Sequence, residues 1–225
     1  MRDQVVTTVR ALPDAALVIP ESPLGDLRFR GLLSAGQWAA LPLAVRQRFS
    51  KRLSGGRTVV YTGTIVETVM SRAGMALAQM ARIIGGPLPV CRDVDVPGVV
   101  TVTEDVATGG QIWTRLYARR NGFPQVINSS KRFAGATGLE EHVGCGIGMS
   151  LSLAVDTDAL LFKSHRYFWQ FGRLRLHLPR WLTPGPLTVG HHDLGDGHFA
   201  FTLDIQHPWL GCLIHQRAVF QEAKS

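Results

Sequence analysis

Cysteine, lysine and uninterrupted apolar runs are all scarce in this chain, and each scarcity closes a class of function. The three cysteines, Cys91, Cys145 and Cys212, are odd in number and far apart, with no C-x-x-C pair and no Cys/His ligand spacing. Neither a disulfide framework nor a metal site is implied, and a reduced, cytoplasmic protein is expected. No stretch approaches the roughly 18 apolar residues of a membrane-spanning helix. The N-terminus has an early Asp and no apolar h-region of a secretory signal. Lysine supplies 4 of the 24 basic residues, so the net charge of +7 is mostly arginine, spread out instead of clustered in a run. With no recognition motif beside it, that charge argues against nucleic acid. The G-x-S-x-G elbow, the G-x-x-x-x-G-K loop and the dinucleotide fingerprint are missing too, so no cofactor is expected.

What the chain does have is alternation. Its 225 residues, 45% hydrophobic and 18% charged, suit one folded domain with a sizeable core. Residues 1–31 read as irregular, punctuated by Pro13, Pro20 and Pro23. Residues 32–90 read as helices with a first strand, and 91–225 as an antiparallel meander. Ser34 caps a short helix through Gln37 to Ala40, and Pro42 opens a second, Leu43 to about Leu53, where its missing N–H costs nothing. Arg57–Glu67, rich in Thr, Val and Tyr, is the first strand. Met70, Ala73, Leu77, Met80 and Ile84 then recur at helical spacing until Gly85-Gly86-Pro87 stops them.

Ten further strands follow at Val99–Glu104, Gln111–Arg119, Gln125–Phe133, Leu139–Val143, Met149–Asp156, Ala159–Phe168, Arg173–Leu178, Leu187–Asp193, His198–His207 and Cys212–Phe220. The connections are too short for parallel crossovers, and Asn121-Gly122 and Asp196-Gly197 are hairpin signals. The fold expected is α+β: a predominantly antiparallel up-and-down sheet curved into a partial or closed barrel. Two or three helices in the N-terminal half cover it. A cavity is expected between the concave face and the helix Met70–Ile84.

Period two puts Trp113, Arg115, Tyr117 and Arg119 on one strand face. Lys163, His165, Tyr167 and Trp169 share another, and Arg173, Arg175 and His177 a third. Guanidinium groups interleaved with aromatics suit a carboxylate or phosphate, or else they form a solvated face with rings shielding Arg stems. Asp204 sits mid-strand, where a carboxylate needs a partner, and His215 or Arg217 on the next strand can supply one. That pair is the nearest thing to an acid–base constellation and equally an ordinary cross-strand ion pair. Glu140, Glu141 and His142 form a second candidate group beside Gly144, Gly146 and Gly148, glycines that permit curvature or close approach of a ligand. His191 and His192 point to opposite faces of a regular strand and cannot share a metal.

Several segments, in order, resemble a bacterial family known as domain of unknown function 4166. They are Leu41-Pro42, Gly63-x-Ile65-x-Glu67, Gly86-Pro87-Leu88-Pro89, Arg92-Asp93-Val94 and Trp113-x-Arg115. The more specific ones follow: Leu178-Pro179-Arg180-Trp181-Leu182, Asp196-Gly197-His198-Phe199-x-Phe201 and Pro208-x-Leu210-Gly211 through Arg217. The resemblance spans roughly residues 40 to 220 and implies no activity. It implies that a dehydrogenase-like protein is a possible partner, since such members are often fused to one. The leading expectation is a binding protein for a small apolar or amphipathic molecule whose polar end meets Trp113, Arg115, Arg173, Arg175 or Arg217. One alternative is a cofactor-independent isomerase, cyclase or hydrolase using His215, Asp204 and Glu141. Another is an interaction module with a basic face.

Overall fold

Alternating sequence becomes alternating structure along nearly the whole described chain. A computed structural model describes residues 25–55 and 57–223; most of the irregular N-terminal stretch lies outside them. Among the described residues eleven antiparallel strands form: β1 (Thr58–Met70), β2 (Val96–Asp105), β3 (Gly110–Tyr117), β4 (Gln125–Arg132), β5 (Glu140–Gly144), β6 (Ile147–Asp156), β7 (Ala159–Phe171), β8 (Leu174–His177), β9 (Leu187–Gly195), β10 (His198–His207) and β11 (Gly211–Glu222). Neighbours in sequence are neighbours in the sheet from β1 to β7. Then β7 pairs β9, β9 pairs β10, β10 pairs β11, and β11 returns to β1. Ten strands thus close a barrel with no open edge, which removes the unpaired backbone an open sheet exposes.

The eleventh strand stands outside the wall. Residues Ala159 to Lys163 of β7 pair with β9, whereas Phe168 to Phe171 pair with β8. A tight turn at Gly172 (φ 56°) sends β8 back along the far half of β7. Pro179, Pro184 and Pro186 then withhold the N–H groups that a longer wall strand would need. All four β8 residues are exposed.

Among the described residues three short helices precede the barrel: α1 (Arg28–Gly31), α2 (Ala35–Ala40) and α3 (Leu43–Phe49). Ser34 caps α2 in a reciprocal capping box with Gln37. Pro42 precedes α3, which stops at Ser50 instead of continuing to Leu53. These helices plug one end of the barrel. Phe29 is fully buried, its ring meeting Phe49 at 5.2 Å, Phe133 at 4.9 Å and Phe162 at 6.1 Å.

The opposite end is roofed, incompletely, by α4 (Arg72–Met80), which runs into a 3-10 turn, Ala81–Ile84. The expected helix from Met70 needs one correction. Met70 is the last residue of β1, paired with Ile214 and 4% exposed, and Ser71 caps the helix after it. The buried face of α4 is also not the aliphatic stripe but Gly74 and Ala78. A Cβ on Gly74 would overlap the Leu213 carbonyl oxygen, so only glycine lets the helix lie this close to β11. Leu77 and Met80 are thereby left to face the barrel mouth.

Candidate functional site

The barrel is not filled. Between the aromatic plug and α4 lies a cavity of about 430 Å³, within the usual size range of small-molecule sites. Its upper wall and roof are aliphatic: Leu77, Ile84, Leu88, Leu187, Leu203 and Ile205 are representative. Tyr117 and Tyr167 also line it; burial pushes the Tyr167 hydroxyl up to about 12, and it donates to Gly185 O at 3.1 Å.

Deep in the cavity one polar cluster interrupts the apolar wall. Alternation along β3, β4 and β5 turns Arg115, Ser129, Lys131 and Glu141 inward. Register places Glu141 opposite Lys131 and Trp113 opposite Ser129. Lys131 Nζ lies 3.2 Å from Glu141 Oε1, and Arg115 Nη2 lies 3.8 Å from the same oxygen. Arg115 Nη1 donates to Ser129 Oγ at 3.3 Å. The Lys131 ammonium also sits 4.9 Å from the Trp113 ring centre and 5.2 Å from that of Phe162, a cation held over aromatic faces.

Burial and charge compete within this cluster. The Lys131 side chain is only 2% exposed, and desolvation lowers its pKa against the opposing pull of Glu141, with Arg115 adding to the lowering. Burial alone would raise the Glu141 carboxyl, but Lys131 and Arg115, with a hydrogen bond from Ser129, outweigh it and hold the carboxyl low. With Lys131 protonated, two cations face one carboxylate, which leaves one positive charge without a counterion among the described residues of an apolar chamber. An anion would relieve that cost.

Of the sequence candidates, Trp113, Arg115 and Glu141 reach this cavity. The others do not. Asp204 and His215 do meet, Asp204 Oδ1 to His215 Nδ1 at 2.6 Å, with Glu67 at 3.7 Å from Nε2. Their strand neighbours Leu203, Ile205, Gln216 and Ala218 line the cavity, so by alternation both point away from it, as does Arg217. Arg175 is spent on the outer wall, gripping Glu140 through two bonds of 2.6 and 3.0 Å and stacking 4.1 Å over Phe168. His142 joins that outer group, 3.3 Å from Glu140. Arg173, in the turn before β8, is exposed.

The expected shared face of Lys163, His165, Tyr167 and Trp169 is likewise broken. A bulge in β7, opposite Met149 to Leu151, inverts the alternation, leaving Lys163 and His165 outside while Tyr167 turns in. The Gly144 to Gly148 run admits the protein's own backbone instead of a ligand: a Cβ on Gly144 (φ 141°) would overlap Ile84 O of the roof. Lys131 was not singled out by its sequence. Its only signal is a scarce lysine on the same strand face as Ile127, and its partner lies on another strand. Among the described residues no three of His, Cys, Asp and Glu converge to hold a metal. No helix among them is long and apolar enough to cross a membrane.

His191, by contrast, is turned into the closed end. It is 2% exposed, stacked 4.6 Å from Phe199, with Arg48 Nη1 at 3.2 Å from its Nε2. Burial first, then Arg48 and His192, hold its pKa well below 6.5, so the folded state keeps it neutral. Asp193, 3.5 Å from Arg48, is the nearby carboxylate. The folded form binds the proton less readily than the unfolded chain. His191 therefore contributes fully above pH 6.5, and stability falls below it by up to about 1.4 kcal/mol per pH unit. His142, also lowered by burial, acts in the same direction. Urea unfolding between about pH 6.5 and 5 is expected to be shallower in pH for His191→Asn than for the native chain; equal slopes would show that His191 does not titrate on unfolding.

The family model described as "Domain of unknown function (DUF4166)" matches residues 41–220. Comparison with curated proteins and with solved structures found no match.

Proposed function

We propose, from the premise that this chain belongs to the DUF4166 family, that it binds within its barrel a small, largely apolar molecule ending in an anionic group. The observation that carries this reading is the pairing of an aliphatic chamber with a buried, net positive cluster at its depth. Arg115 and Lys131 hold the anionic end, Trp113 and Phe162 shield it, and Glu141 fixes the two cations in place. The aliphatic wall accepts the rest of the ligand through area removed from water.

An acid–base catalyst drawn from His215, Asp204 and Glu141 is not assembled, because the wall of the barrel stands between the first two and the third. A carboxyl held low, as Glu141 is, is also poorly matched to proton abstraction near neutral pH.

A fluorescent polyene fatty acid and its methyl ester test the reading. The acid is expected to bind the native chain more tightly than the ester. Arg115→Met and Lys131→Met are each expected to weaken the acid by about 10- to 100-fold, the worth of a charge-assisted hydrogen bond. The ester should be little affected. Equal binding of acid and ester by the native chain would remove the anionic end from the proposal, and binding of neither would end it.

A further inference from the structure

We propose that the open end of the barrel docks on an anionic lipid bilayer and takes its ligand from there. This deepens the cavity reading, on which it rests for the ligand though not for the docking. In an up-and-down barrel, alternate connections gather at each end. The mouth receives residues 71–95, 118–124, 145–146, 172–186 and 208–210. All five exposed aromatic side chains among the described residues lie at this end: Phe123, Trp169, Phe171, Trp181 and Trp209, between 41% and 90% exposed. Among the described residues the closed end shows exposed Leu27, Leu43, Val106 and Leu194 but no exposed Phe, Tyr or Trp. Single exposed apolar residues are ordinary; their concentration around one opening is not.

The patch is continuous with the cavity. Met80 and Leu182 are 63% and 59% exposed, yet both line the cavity, so they form its rim. Ile83, 83% exposed, is tied to the β5–β6 turn, where Cys145 Sγ lies 3.8 Å from Ile83 O. Trp169 Nε1 donates to Cys145 O at 3.1 Å, and its ring lies 6.1 Å from that of Phe171. Across the β7–β8 hairpin these two pair with the exposed Leu176 and Leu174. The chain then passes Leu178, another cavity residue, to Trp181 and Leu182.

Charge selects the partner. The mouth connections carry eight arginines against two aspartates, Asp93 and Asp95. Arg72, Arg82, Arg173 and Arg180 are exposed and in no ion pair among the described residues. Tryptophan, with an apolar body and one N–H, favours the boundary between acyl chains and headgroups, and arginine beside it meets anionic phosphates. A water-insoluble ligand could then pass from bilayer to cavity without crossing water.

The test is flotation of the full chain with phosphatidylcholine vesicles, with and without phosphatidylglycerol. Binding is expected to the anionic vesicles, weakening as salt is raised. Trp181→Ser with Trp209→Ser, neither of which lines the cavity, is expected to weaken it roughly tenfold or more. In lipid-free solution the same variant should bind the polyene acid as the native chain does. Arg115→Met should show the converse: vesicle binding kept, acid binding lost. Three results would each overturn the docking surface: no vesicle binding by the native chain, vesicle binding indifferent to both tryptophans, or capture of an acidic protein in place of vesicles. Vesicle binding that persists while the acid is not bound would instead remove the cavity reading alone.

Discussion

Glu141→Gln is expected to lower the stability of this protein by about 3–5 kcal/mol, the usual loss when one partner of a buried charge cluster is removed. The substitution keeps shape and a hydrogen-bonding oxygen while deleting the one carboxylate that, among the described residues, pairs with Lys131 and Arg115. Lys131, 2% exposed and beneath the Trp113 and Phe162 rings, would then have to shed its proton or stay charged without a counterion. Urea unfolding at neutral pH measures the loss. The double variant Glu141→Leu with Lys131→Met leaves no such charge at the pair, and it is expected to recover much of the stability while losing preference for the acid over the ester. A single variant as stable as the native chain would show that water reaches the cluster and that its charges are not costly.

The same carboxylate gives a signed dependence on acidity. Its folded pKa lies below the ordinary 4.5, so its contribution is whole above 4.5 and drains away as pH falls through the lower folded value. Asp26, held low despite its burial by bonds from Arg28, and Asp105, held low by the Thr108 and Ser130 hydroxyls, lose theirs in the same direction from 3.8 downward. Histidine protonation therefore acts first on acidification, and the carboxylates later.

Phe29→Ala is the other large effect, expected to cost about 3–5 kcal/mol and to lower Tm by roughly 10 °C. Phe29 has no exposed surface, and its three ring neighbours come from α3, the bend just after β4 and the wall strand β7. A helix of four residues has no stability of its own, so α1 is held in place by this ring and cannot readily collapse into the space left by its loss. Arg28 reinforces the site, stacking 4.1 Å over Phe133 while bonded to Asp26. Because Phe162 also lines the cavity, the truncation should open the chamber towards the closed end and increase binding of a hydrophobic dye. Thermal unfolding and dye fluorescence measure the two consequences. A change in Tm of a degree or two would mean that the helices merely rest on the barrel.

The wall strands were legible because a strand half-exposed to a cavity and half to solvent must alternate. Short connections with Asn121-Gly122 and Asp196-Gly197 allowed only antiparallel neighbours. The caps at Ser34 and Pro42 were legible for a similarly local reason: each satisfies or avoids a backbone donor within a few residues. Where local evidence failed, a nonlocal contact had taken over. Met70 matches a helical stripe in sequence but is claimed by pairing with Ile214, and Gly74, a weak helix former, is needed only because β11 lies beneath it. The displacement of β8 follows from the length of β7, whose two halves have different partners, which no window of sequence contains.

For the site, the sequence by itself determined which residues share a face of a regular strand, and so kept Trp113 with Arg115, while it offered Asp204 either His215 or Arg217 as a partner on the next strand. It could not determine which face looks inward, because curvature is a property of the closed sheet and both faces of these strands carry polar groups. Closure placed Arg115 inside with Glu141 and Lys131, and left Arg175, Arg217, His215 and Asp204 outside. One residue of bulge in β7 was enough to put His165 and Tyr167 on opposite faces. Side-chain direction has a period of two along a strand, so it is inherited from sequence until pairing inserts an extra residue. What those side chains surround is set only when β6 meets β7 and the barrel shuts.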